Sequence, residues 1–152
     1  MTASWSAFAV PLGIAVAGNI AYHLASKSVP QSLSPFAVLA FVYLIASISA
    51  AALSVANTPS GLGQIASIAR QPLVYLLAGA VLAIELGFLL AYRAGAPVSI
   101  SSLTVNATVA LVLAGIGTLA FREPFSWRVG FGVLLTLAGV ILITSAQSNT
   151  AK

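Results

Sequence analysis

The chain has 152 residues, of which 60% are hydrophobic and only 5% charged, with six basic and two acidic side chains. A soluble domain carries about 25% charged residues, so eight charges cannot cover a water-facing surface, and the composition specifies an all-α integral membrane protein built as a single membrane domain, residues 1–152. A net charge of +4 does not imply nucleic acid, because Lys27, Arg70, Arg93, Arg122, Arg128 and Lys152 stand singly between apolar stretches rather than in a phosphate-binding cluster.

A helix needs about 20 predominantly apolar residues to cross the hydrocarbon core. Five stretches are predicted as spans, at residues 5–24, 36–55, 73–92, 98–121 and 129–144, the last being the shortest. The opening "MTASWSAFAV" lacks the basic start of a cleaved signal, and the first span is expected to be retained. It carries Pro11 near its start, and Asn19 and His23 four apart toward its end. His23, so close to that end, is read as a wetted interfacial imidazole. In the second span Tyr43, Ser47 and Ser54 share a stripe with Ala50 and Ala51, a pattern suited to close helix packing.

Residues 56–72, "ANTPSGLGQIASIARQP", are read as loop, with a short interfacial helix through Ile65, Ile68 and Arg70 as the alternative. The third span aligns Glu85, Leu89 and Tyr92 with Ala78 on one face. The fourth aligns Ser99, Ser102 and Asn106, continued by Ala110 and Gly117. The amides of Asn19 and Asn106 need partners in lipid, and a binding pocket and a structural bond would satisfy them equally. Gly132, Thr136 and Gly139 give the fifth span a small-residue face for helix contact, within the chain or with a second one. Pro30, Pro35, Pro59, Pro72, Pro97 and Pro124 all fall between spans, where a missing N–H costs least, and Trp5 and Trp127 sit near span ends as an aromatic belt does.

Little is left for chemistry. With no cysteine, no aspartate and one histidine, almost nothing is left with which to build a metal site or a catalytic triad, and no cofactor is expected. No G-x-S-x-G nucleophile motif occurs, and the chain is not read as an enzyme. Glu85 stands apart. A carboxylate at membrane depth costs about 2.5–3.5 kcal/mol on insertion scales, which points to an ion or proton site, with a purely structural carboxyl as the alternative. Arg93 lies eight residues on, about 12 Å further along the same helix, too far for a direct ion pair unless it turns inward.

From Leu73 onward the order of boundary motifs carries a resemblance. A helix ends in "AYRAG", the next opens with "PVSISS" and ends at "FREPFS", and the last carries "GVLLTLAGVILI". This half of the chain resembles an EamA-type repeat of the drug/metabolite transporter superfamily, and its last stretch resembles the fourth helix of small multidrug resistance proteins. The first 70 residues fit only as two spans in the right places.

The resemblance implies five transmembrane helices forming one EamA-type repeat. It also implies a secondary transporter, an exporter of a small metabolite such as an amino acid or a drug-like compound, in a prokaryotic cytoplasmic membrane. The small multidrug resistance branch places its essential acid in the first helix. Here that helix offers only Asn19 and His23, so the role does not carry over. Where that branch has a tryptophan in its fourth helix, this chain has Ser, Thr and Asn, which weakens recognition of aromatic cations. Glu85, Asn19, His23, Tyr43, Tyr92, Ser102 and Asn106 are the residues expected to bind substrate or protons. The competing expectation is a non-transporting accessory subunit of a lipid-carrier or assembly system.

Five spans put the two chain ends on opposite sides of the membrane. Arg70, Arg122 and Arg128 then lie on the side of the N-terminus, and Lys27, Arg93 and Lys152 on the other. Three against three gives no preferred orientation, as insertion both ways round requires. The expected partners are membrane lipid, a small-molecule substrate and a second chain, either an antiparallel copy or a paralogue. An antiparallel pair would recreate the inverted ten-helix arrangement of larger relatives.

Overall fold

In this computed structural model the described residues are 5–58, 60–122, 124 and 126–150, with the backbone alone described at residues 5, 6, 62 and 146–150. Pro59, Glu123, Phe125 and Lys152, used in the sequence reading, lie outside them. The elements are α1 (Trp5–Ser28), α2 (Pro35–Asn57), α3 (Gly61–Ile68), α4 (Pro72–Arg93), α5 (Val98–Ala120) and α6 (Trp127–Thr150), and no strand occurs among the described residues. Five of these helices, all but α3, are long and apolar enough to cross a membrane.

The helix ends follow backbone chemistry that the sequence announces. Pro35 and Pro72 open α2 and α4 at positions whose N–H has no partner within the helix anyway. Pro97 caps α5 from an extended conformation. The α4 helix closes on Gly95, whose φ of 95° lies in the left-handed region and whose N–H reaches back to the Tyr92 carbonyl. The equivalent exit from α5 uses Arg122, at φ 53°, a conformation costly for any residue with a Cβ.

Three expectations are corrected. The first span runs on to Ser28 rather than Leu24, and the fifth starts at Trp127 and continues as helix to Thr150 rather than spanning 129–144. The stretch 56–72 is not plain loop: α3 occupies its middle. This helix is held from outside itself. Gly61 sits so close to α2 that a Cβ there would lie 2.6 Å from the Ser54 carbonyl oxygen. At the other end, the Tyr75 hydroxyl donates to the Ala69 carbonyl at 2.8 Å, tying the exit of α3 to the first turn of α4.

The chain divides into two compact units, Met1–Gly95 and Ala96–Lys152. In the first, α4 packs against both α1 and α2, and α3 packs on α2. In the second, α5 packs against α6. Buried side chains are few: Leu39, Phe88, Leu89, Tyr92 and His23 in the first unit, and Ala107 in the second. Most large apolar side chains point outward, among them Leu73, Leu76, Leu119 and Leu142. Such an exterior is stable against hydrocarbon and unstable against water.

Candidate functional site

The polar groups of the first unit converge where α1, α2 and α4 meet. Tyr22, His23 and Ser26 lie at spacings of one and three on α1, hence along one face, and α4 opposes them with Glu85, Phe88, Leu89 and Tyr92. A cavity of about 160 Å³ lies between the three helices. Its polar lining is Tyr22, Ser26 and Glu85, and the rest is aliphatic, including Leu39, Val42 and Leu89.

Glu85 is half-buried, while Leu89 and Tyr92, the next residues on its face, are each only 3% exposed. The expected Glu85–Leu89–Tyr92 face is therefore the inward face of α4. Beside the carboxyl lies the buried Tyr43 hydroxyl, which interacts with it electrostatically and as a hydrogen-bonding neighbour. The Tyr22 hydroxyl is buried too, beside Ser26 and within electrostatic reach of Glu85. The neighbouring cations are directed elsewhere. The Arg93 guanidinium donates to the Leu33 carbonyl at 2.6 Å, and Lys27 Nζ donates to the Tyr92 carbonyl at 3.4 Å while lying 5.8 Å from the Tyr92 ring centre.

His23 departs from its expectation. It is not a wetted interfacial group: its residue is 4% exposed. The extension of α1 to Ser28 places it more than a turn inside the helix end, and α4 covers it with aromatic rings. Its ring meets Phe88 edge-on at 4.6 Å and Tyr22 at 5.0 Å between centroids. Nδ1 shares a 2.8 Å hydrogen bond with the Tyr92 hydroxyl, and Nε2 is buried with no partner.

The remaining expected site residues stand apart from this cluster. Asn19 is exposed on α1 and does not line the cavity. In the second unit Asn106 is exposed and its neighbour Ala107 is the buried residue. Ser102 is half-buried and spends its hydroxyl on its own helix, at the Val98 and Ser99 carbonyls. On α6, Thr136 donates to the Gly132 carbonyl, and a Cβ at Gly132 or Gly139 would meet nothing within 4 Å.

Sequence reasoning passed over Tyr22, Ser26, Lys27 and Phe88. The signal for the first two was present: Asn19, Tyr22, His23 and Ser26 recur at spacings of three, one and three, a polar stripe down an otherwise apolar helix. Phe88 gave none, since a phenylalanine in an apolar run is equally at home facing lipid.

No family model, curated protein or solved structure matches this chain.

Proposed function

We propose that this chain is a multi-pass membrane transporter for a small metabolite, with the α1–α2–α4 cavity as its substrate site and Glu85 as the group that couples movement to protons. The observation that carries this reading is a membrane-depth carboxyl that faces a cavity, with the Tyr22 and Tyr43 hydroxyls beside it. A purely structural carboxyl is ordinarily enclosed by fixed partners, because polar groups in an apolar medium are costly, whereas this one opens onto a cavity. Here an exchangeable partner fits better: a proton at one stage, a substrate or water at another.

The ordered boundary motifs from Leu73 onward support placing it with the EamA-type half-size members of the drug/metabolite transporter superfamily, in a prokaryotic cytoplasmic membrane. An export direction accords with that resemblance. A five-span chain would act as a dimer, antiparallel with itself or paired with a paralogue, and the small-residue Gly132–Thr136–Gly139 face of α6 would suit that contact.

The test is flux in proteoliposomes made with the purified chain alone. A pH gradient should drive solute movement by the native protein. Glu85→Gln, which keeps size and hydrogen bonding, should fold normally and lose the dependence on the gradient. Undiminished gradient-driven flux in that variant would return Glu85 to a structural role, and no flux of any tested solute by the native chain would favour the accessory-subunit reading.

A further inference from the structure

A groove of about 380 Å³ lies beside the first two turns of α2 and the α1–α2 connection. Val29, Leu33, Val38, Phe41 and Val42 line it with hydrocarbon, and Ser34 is its one hydroxyl-bearing lining residue. Its wall is open: Leu33, Phe41 and Val42 are 50%, 63% and 44% exposed. The eight residues from Ser34 to Val42 correspond to about 12 Å along the helix. That length is close to the depth of one leaflet, half of a hydrocarbon core about 30 Å thick.

The mouth of this groove carries positive charge. The Arg93 guanidinium donates to the Leu33 carbonyl at 2.6 Å, which fixes it at the rim. That bond uses one of five N–H donors, and Nε is buried with no acceptor. Lys27 Nζ, at the Tyr92 carbonyl, brings a second positive charge to the residue before Arg93. Ser34, just ahead of α2, makes no side-chain capping bond. The acid of α4, Glu85, stands eight residues back from Arg93, about 12 Å deeper along the helix. Because α1 ends at Ser28, α2 begins at Pro35 and α4 ends at Arg93, the mouth lies where three spans leave the hydrocarbon.

We propose that this groove holds an anionic phospholipid, its phosphate at Arg93 and Ser34 and one acyl chain along Leu33, Val38, Phe41 and Val42. Guanidinium and phosphate form charge-assisted hydrogen bonds, and basic residues near a membrane surface favour anionic lipid. Other amphiphiles fit less well, each for a separate reason. A long-chain alcohol matches the wall and Ser34 but brings no anion to Arg93. A cationic amphiphile meets two like charges. A zwitterionic phospholipid brings its phosphate together with a cation that Arg93 and Lys27 repel. The inference goes beyond the transport reading and does not depend on what the Glu85 cavity binds.

The test is contact quenching of tryptophan fluorescence by brominated lipid in bilayers of phosphatidylcholine. Trp5→Phe and Trp127→Phe remove the native signal, and Phe41→Trp places a reporter in the groove. Ile48→Trp, further along α2 at a position 61% exposed, reports ordinary lipid contact. At position 41, brominated phosphatidylglycerol should quench at an about fivefold lower fraction of the bilayer than brominated phosphatidylcholine, the factor expected for one basic residue near the surface. At position 48 the two lipids should quench alike. Arg93→Gln should abolish the preference at position 41 while leaving quenching by phosphatidylcholine there intact, and Arg93→Lys should retain a preference.

Equal quenching by the two lipids at position 41, with Arg93 in place, would overturn the proposal, and this comparison requires no charge variant to fold. The same phosphatidylglycerol preference at positions 41 and 48 would overturn it too, as a general surface attraction. So would a preference that survives Arg93→Gln. Protection of position 41 from both lipids would mean that protein covers the groove, which also overturns it.

Discussion

The Tyr92 hydroxyl lies 2.8 Å from Nδ1 of His23, joining α4 to α1 across 69 positions of sequence, and both residues are buried. Phe88 stacks against Tyr92 and edge-on to His23 around this bond. Tyr92→Phe keeps the ring and removes the bond, so it should cost about 1–3 kcal/mol, the penalty for leaving a buried polar atom unsatisfied. His23→Ala should cost more, because the ring contacts go with it. Reversible unfolding in mixed micelles measures both. A neutral Tyr92→Phe would mean that the bond contributes nothing to holding α1 on α4.

Gly61 offers a sharper contrast. Gly61→Ala would push a Cβ to 2.6 Å from the Ser54 carbonyl oxygen, a backbone atom that cannot swing aside, whereas a Cβ at Gly63 would meet nothing within 4 Å. The first substitution should destabilise by about 1–3 kcal/mol, as overpacking does. The second should be neutral or stabilise by up to about 1 kcal/mol through helix propensity. Equal effects at the two positions would contradict the close approach of α3 to α2.

The two left-handed helix exits predict opposite signs. Gly95→Ala, at φ 95°, should cost about 1–2 kcal/mol, and Arg122→Gly, at φ 53°, should recover a similar amount less the flexibility that glycine adds to the unfolded chain. Denaturant midpoints of the two single variants are sufficient to test this.

The side of the membrane on which α3 sits can be read chemically, since the chain contains no cysteine. Gln31→Cys lies in the α1–α2 connection and Gln64→Cys in α3, with the α2 span between them. In molecules of one orientation an impermeant thiol reagent should reach one of them from each side. Labelling of both from the same side would remove α2 from the spans. If the chain inserts both ways round, each position should label partially from either side, and added lysines in one connection should make the labelling one-sided.

The spans were legible in the sequence because their signal is one-dimensional: length, apolar content and proline placement fix them without reference to neighbours. Glu85 was legible for a related reason, since a carboxyl in such a run is costly wherever its partners lie. What the sequence did not disclose depended on contacts. The eight residues of α3 include Gly61 and Gly63, a weak local preference, and the helix is held by α2 and Tyr75. His23 looked wet from its distance to the end of the first span, and it is dry because Phe88 and Tyr92 of a distant segment cover it. Asn19 and Asn106 looked like companions of Glu85 by polarity alone, and both point out of their own units.

The oily exterior and sparse polar interior have a consequence for how this protein can be traced through evolution. An outward position such as Leu73 or Leu119 asks only for hydrocarbon, and leucine, isoleucine, valine and phenylalanine answer that demand about equally. Mutation can therefore exchange letters over most of the exterior without penalty, and overall identity decays while the helices stay where they are. The positions whose contacts should resist exchange are few and widely separated: Tyr22, His23, Glu85, Phe88 and Tyr92, together with the glycines at 61 and 95. Descendants of a common ancestor should be recognisable by that constellation at its spacing, held within five greasy helices, long after ordinary similarity has faded.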